Sequence, residues 1–213
     1  MILAREMRGF EGAARGRGHR LIAGIDEAGR GPLAGPVIAA AVILPMDYDN
    51  PEINDSKKLS PRRRERLYEV IKQDAIAVSI GLSEAAAIDV VNILQATLAA
   101  MREAVLGLSV RPDYLLIDGL NGIAVSIPQE TIIHGDARSI SVASASIMAK
   151  VSRDRIMEMY HRQFPQYNFL KNKGYGTREH REAIARYGRC KIHRRSFWVA
   201  EIDNLAITEN LGF

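Results

Sequence analysis

A chain of 213 residues with 47% hydrophobic residues carries enough apolar material for one sizeable core. Its single cysteine, Cys190, excludes an intrachain disulfide, and His193 alone is thin support for a thiol nucleophile. Neither a signal-type apolar segment nor an apolar run of bilayer-spanning length is read from the sequence, so the expected setting is cytoplasmic, with no membrane partner.

The formal net charge of +4 is modest, but the charge is unevenly spread. Residues 150–196 hold 13 Lys and Arg against four Asp and Glu. A face of that kind suits a polyanion through counterion release, although a solvated helical surface accounts for the charge equally well. Residues 1–20, with five Arg, two acids and four glycines, read as a flexible basic arm.

In chain order, the first strand is the apolar run from Leu21 to Ile25, which ends in adjacent carboxylates, Asp26 and Glu27. Strand side chains alternate faces, so two consecutive acids are hard to hide and call for a cation. The turn Ala28-Gly29-Arg30-Gly31-Pro32 follows. Its glycines superficially resemble a dinucleotide-binding loop, but that fingerprint needs a helix next, and Pro32, Pro36 and a β-branched run from Val37 to Leu44 indicate a partner strand instead. Two glycines in the turn let backbone approach a ligand, and Arg30 suits a phosphate or ribose; a solvated turn is the plainer alternative.

Residues 45–59 are irregular. Ser60 is an N-cap and Pro61 a first helical residue, giving a helix to about Asp74 that buries Leu67, Val70 and Ile71. Ala75 to Leu82 alternates as a third strand, with Ile76, Val78 and Ile80 on one face. Glu84 to Leu106 has helical spacing, in two pieces, with Asn92 either a cap at the break or a phosphate support. Tyr114 to Ile117 is a compact strand ending at Asp118, and a short strand from Thr131 to His134 leads into Gly135-Asp136.

Three strands therefore each deliver carboxylate at one end. If the first and later strands run parallel, those ends share an edge, where ligands of open α/β sheets bind. Four acids together repel one another unless hard cations neutralise them, which points to Mg²⁺ or Mn²⁺ and phosphoryl-transfer chemistry. Any one of these acids taken alone is as well explained as a strand-end cap.

The residues from Gly24 to Pro36, GIDEAGRGPLAGP, resemble the signature of type 2 ribonuclease H, ribonuclease HII. So do Asn54–Ser60, Ile117–Gly119, Gly135-Asp136, Ala145–Lys150, Lys173–Thr177 and His193–Phe197, in the family's order across Leu21 to Phe197. The resemblance implies a ribonuclease H-like α/β fold: a mixed five-stranded sheet, three antiparallel strands then two parallel ones, flanked by helices. Residues 21–197 would form the catalytic domain, with a C-terminal helical substrate-binding part at about 165–197 and a tail at 198–213.

The resemblance further implies an endoribonuclease that hydrolyses RNA in RNA/DNA hybrids and nicks 5′ of single ribonucleotides in duplex DNA, leaving 3′-hydroxyl and 5′-phosphate ends. Two Mg²⁺ or Mn²⁺ ions would be held by Asp26, Glu27, Asp118 and Asp136. Gly29, Arg30 and Gly31 would read the 2′-hydroxyl, and Tyr175 would pack on the neighbouring sugar, while Lys57, Ser146 and Lys150 would contact phosphates. His134 and His180 are read as structural. Ala137 departs from the small polar residue common at its position. The tail lacks the glutamine and paired aromatics of a clamp-binding peptide, so no clamp partner is expected, and a monomer is the default. A catalytically silent nucleic-acid-binding module and a DNA-directed nuclease of the same fold are the rival readings.

Overall fold

The computed structural model describes residues 6–53, 56 and 59–200. Five strands form one sheet in the order β3-β2-β1-β4-β5: β1 (Ile22–Ala28), β2 (Val37–Ile43), β3 (Ala77–Ser83), β4 (Tyr114–Asp118) and β5 (Gln129–Ile132). β1 pairs antiparallel with β2, and β2 with β3, while β4 runs parallel to β1 and β5 parallel to β4. This is the sheet expected from the sequence.

β2 is buried at every position, and its central residues are Ala39, Ala40 and Ala41. A strand covered on both faces reads as a continuous apolar run, and small side chains let helices approach from either side. α3 (Ala85–Leu106) covers one face, burying Ile88, Ala96, Ala100 and Ala104 against Ile25, Ala41 and Ile117. α2 (Pro61–Asp74) and α4 (Ile140–Gln163) cover the other; there Leu67, Ile71, Ala145 and Ile147 meet Ile38, Ala40 and Val42. α4 lies so close to β1 that a Cβ on Gly24 would stand 2.1 Å from the Ser141 carbonyl carbon.

Local chemistry sets the helix limits. Ser60 accepts from the Arg63 amide with Pro61 in the first turn, as expected of an N-cap followed by proline. α3 breaks at Asn92, whose backbone is at φ 69°, ψ 166°, and whose side-chain oxygen accepts from the Gln95 amide. Asn92 is thus the cap of the second half-helix. By length and composition alone α3 could cross a membrane, contrary to the expectation that no segment would qualify. Its apolar residues instead supply half of the core on one face of the sheet.

The start of the chain differs from expectation. Within the stretch read as a flexible basic arm, Glu6–Arg8 form a 3₁₀ turn and Gly9–Gly16 form α1. Met7 and Ala14 are buried in two of the apolar clusters. The Glu11 carboxylate is buried at the N-terminus of α4, where it accepts from the Ser139 hydroxyl at 2.6 Å, the Ser141 amide at 3.1 Å and the Ser141 hydroxyl. An anion there satisfies unpaired amides and opposes the positive end of the helix dipole. A count of arginines misses this because the tie is made 128 residues away.

The C-terminal part is helical as expected. α5 (Phe169–Asn172) and α6 (Arg178–Tyr187) pack around Tyr167, Phe169, Ile184 and Ile192, and the Ala34–His193 bridge joins this part to the loop after β1. Glu11→Ala is expected to lower stability by about 1.5–3 kcal/mol, the usual worth of hydrogen bonds to a charged group. Urea denaturation should show a lower midpoint with an unchanged slope; a detached arm would give no shift.

Candidate active site

The β1–β4 register pairs Ile25 with Ile117. Both point into the α3-side core, so Asp26 and Asp118, the next residue on each strand, leave the sheet side by side on the α4 face. Glu27 turns to the other face, but at the end of the strand. Ligand oxygens of Asp26, Glu27 and Asp118 all lie within 4.8 Å of one another. Asp26, only 4% exposed, accepts from the Glu27 amide at 2.6 Å, and Asp118 accepts from the Gly135 amide at 2.6 Å.

Asp136 stands outside this trio. β5 stops at Ile132, two residues short of the expected strand end, because His134 takes a left-handed conformation (φ 56°). That turn brings the Gly135 amide to Asp118 and leaves Asp136 buried in the 3₁₀ turn Gly135–Ala137. His134 is therefore a turn residue, not the strand residue read from the sequence.

Burial is the main reason that the Asp26 carboxyl is held well above the usual carboxylate range; the neighbouring Glu27 and Asp118 charges add to it, while the Ser146 hydroxyl and the Glu27 amide oppose it. Glu27 is raised by burial first and by Asp118, against the pull of Arg30, whose guanidinium approaches to 3.5 Å. A close, oxygen-only set of acids with disfavoured charges fits a hard divalent cation, which removes the penalty by neutralising them.

These three acids line a cleft of about 250 Å³ together with Gly29, Arg30, Gly31, Ser56, Ser146, Lys150 and Tyr175. A larger cavity of about 500 Å³ elsewhere is lined by Arg102, Leu106, Arg111 and Val125 and has no carboxylate, so size alone does not mark the site. The Ser146 hydroxyl meets that of Ser56 at 2.9 Å, and Lys150 pairs with Asp154 at 2.7 Å. Burial lowers the Lys150 ammonium, partly offset by Asp154. Lys57 lies outside the described residues.

The two glycines of the turn serve different ends. Gly29 sits at φ 98°, and a Cβ there would meet Arg153 Nε at 2.0 Å, so the fold itself requires glycine. Gly31 has no such need: a Cβ would meet only the Tyr175 ring edge, at 3.8 Å. Gly31 and Tyr175 line the same cleft, and Tyr175 is 45% exposed.

Two supports hold the cleft wall; the arginines were not singled out from the sequence, whereas His180 was read there as structural. Arg153 and Arg194, counted there within the basic face, are each 1% exposed. Arg153 donates to the carbonyls of Ala34, Pro36 and Lys173, and Arg194 to those of Gly29, Arg30 and Gly35. Burial, then the Arg153 charge, pulls Arg194 down to about 9. The second support is a buried histidine pair. His180 Nδ1 donates to the Tyr175 carbonyl, so its Nε2 accepts from His193 Nε2, at 3.1 Å, and His193 Nδ1 accepts from the Cys190 amide. Burial, followed by the His180 neighbour, lowers His193 to about 4, which keeps the pair neutral and structural. Cys190 is raised by burial and is no activated nucleophile. Of these residues only His193 and Arg194 fall within a motif, so nothing in the sequence signalled the role of Arg153.

A mixed sheet of this order, with clustered acids at the ends of adjacent parallel strands in a cleft that also holds Arg30 and Lys150, fits a metal-dependent nuclease of the ribonuclease H-like class. The family model described as Ribonuclease HII matches residues 23–200. A protein named Ribonuclease HII from Syntrophus aciditrophicus (strain SB) is 70% identical over 190 residues, covering 89% of this chain and 90% of its own. The crystal structure of ribonuclease H2 from Pyrococcus horikoshii OT3 matches with a TM-score of 0.72 at 25% identity, over 89% of this chain and 99% of that one. Bst ribonuclease HIII, solved with Mn²⁺, matches with a TM-score of 0.68 at 19% identity, over 93% of this chain and 73% of that one; this likeness speaks for the fold alone. The chain belongs to the ribonuclease HII family, and it is an endoribonuclease of the ribonuclease H type.

The raised acids dictate how metal-free stability varies with pH. Asp26 and Glu27 have folded pKa values above their unfolded ones, so their contribution is fully present below about pH 4 and is lost as pH rises through the folded values. Asp26→Asn is therefore expected to raise the Tm of chelator-treated protein at pH 8 and leave it nearly unchanged at pH 4. Mn²⁺ at about a hundred times its Kd should stabilise the wild type by about 2.7 kcal/mol, and the variant by much less.

Proposed function

We propose that this enzyme hydrolyses RNA in RNA/DNA hybrids and nicks duplex DNA on the 5′ side of a single embedded ribonucleotide, using two divalent ions. The observation that carries this reading is the shared cleft: the acid trio, the Gly29-Arg30-Gly31 turn and Tyr175 line one concavity. A nuclease indifferent to sugar chemistry has no use for a glycine strip and an exposed tyrosine lining the same cleft as the acids. A silent binding module has no use for clustered acids, which repel phosphate unless a cation is present.

Asp26, Glu27 and Asp118, joined by Asp136 from the adjacent turn, would hold Mg²⁺ or Mn²⁺. Bound there, such ions activate a water and stabilise the leaving oxygen of an in-line displacement. The chain's own residues do the rest. The turn amides approach the 2′-hydroxyl, the one group that distinguishes RNA from DNA at a single nucleotide. Tyr175 packs against the neighbouring sugar. Arg30 and Lys150 offer charge to flanking phosphates, as Lys57 would, and Ser146 contributes through Asp26 and, on exchanging its Ser56 partner, through phosphate. The products carry 3′-hydroxyl and 5′-phosphate ends.

Asp118→Asn is expected to lower Mg²⁺-dependent cleavage of a singly ribo-substituted duplex by at least about 100-fold while duplex binding persists; full activity in that variant, or equal cutting of all-DNA duplex by the wild type, rules the assignment out. Gly31→Ala should keep the Tm within about 2 °C, because its Cβ meets no backbone. The same change narrows the gap to Tyr175, so kcat/KM on the lone ribonucleotide should fall at least about tenfold. Unchanged kinetics there would remove the strip from substrate reading.

A further inference from the structure

We propose that Arg194 is a specificity-positioning residue, whose buried guanidinium turns the amides of Arg30 and Gly31 into the cleft and thereby sets discrimination between ribose and deoxyribose. The proposal rests on the reading that the Gly29-Arg30-Gly31 strip meets the 2′-hydroxyl.

The geometry is that of the peptide plane. Arg194 Nη2 donates to the Gly29 carbonyl at 2.5 Å, and Nη1 to the Arg30 carbonyl at 2.7 Å. In a trans peptide the N–H points opposite to its C=O. No peptide bond in the described chain is cis. Two successive carbonyls drawn inward to one cation therefore aim two successive amides, those of Arg30 and Gly31, outward into the cleft that both residues line. Paired amides of this kind form a concavity for an oxygen-bearing ligand.

Arg194 is anchored for the task. Its Nε and Nη2 also hold the Gly35 carbonyl at 3.1 and 2.9 Å, and its own amide donates to the Leu33 carbonyl. Asp89 fixes the following turn by accepting from the Arg195 and Ser196 amides. Among the described residues the guanidinium's hydrogen bonds go to backbone carbonyls and none to a carboxylate. A lysine, with one ammonium on a flexible stem, cannot span three carbonyls in the fixed fork of an arginine.

The test measures dissociation constants in chelator for two duplexes that differ by one 2′-hydroxyl, using the wild type, Arg194→Lys and Arg153→Lys. Arg153 is equally buried but holds Ala34, Pro36 and Lys173 and bonds neither strip carbonyl. Arg194→Lys should lose at least tenfold in the ribo-to-deoxy affinity ratio while all-DNA affinity stays within about twofold; Arg153→Lys should lose Tm yet keep the ratio. In the wild type, the Arg30 and Gly31 amide resonances should shift with the ribo-substituted duplex and not with its all-DNA counterpart, a readout that holds even if a variant fails to fold. A folded Arg194→Lys with the wild-type ratio, a matching loss in Arg153→Lys, or amides blind to the hydroxyl overturns the proposal. A wild type that binds both duplexes equally defeats the underlying reading instead.

Discussion

The desolvation of a close carboxylate cluster, with mutual repulsion added to it, is the constraint on which the rest of the molecule depends. The parallel ladder between β1 and β4 leaves no freedom in the matter: once Ile25 pairs with Ile117, Asp26 and Asp118 must emerge together on the covered face, with Glu27 beside them. The raised carboxyls of Asp26 and Glu27 reflect the cost of holding charge in a desolvated site. The fold tolerates that cost through a well-filled sheet in which β2, next to the acid-bearing β1, consists of alanine, valine and isoleucine and is covered by helices on both faces. Sites that store unfavourable charge are where stability is given up for chemistry.

Opposite the acids, the cleft wall is built on the reverse electrostatic plan. Two buried arginines gather six carbonyls: Arg153 those of Ala34, Pro36 and Lys173, and Arg194 those of Gly29, Arg30 and Gly35. Carbonyl dipoles satisfy the guanidinium donors, and Arg194 is the one that braces the Gly29-Arg30-Gly31 turn. The buried histidine pair fastens the loop bearing Tyr175 to the segment bearing Arg194, so both sides of the proposed ribose gap share one rigid support. The segment after α6 thus supports the cleft through its backbone.

Much of this was legible in the sequence. Apolar runs ending in acids located β1 and β4, and the Ser60-Pro61 pair located the start of α2, because alternation, capping and proline geometry are local properties. The turn glycines and Tyr175 were legible as cleft residues through the ordered motifs that carry them. What composition misjudged were residues whose partners lie far along the chain. Glu11 reads as one of two acids in a basic arm, yet it caps a helix that begins at Ile140. Arg153 and Arg194 read as surface cations, since isolated arginines usually are.

The sequence by itself determined which segments become strands and helices and which residue types could hold a cation, since both follow from side-chain chemistry and short-range periodicity. Only the tertiary structure decided that three acids from two strands share one cation-sized space, that the fourth is carried buried on the turn after β5, and that Gly29 is demanded by the fold while a side chain at Gly31 would meet only Tyr175. The physical reason is that register, burial and the direction of a peptide plane are set by contacts between segments distant in the chain, and no local pattern encodes a distance.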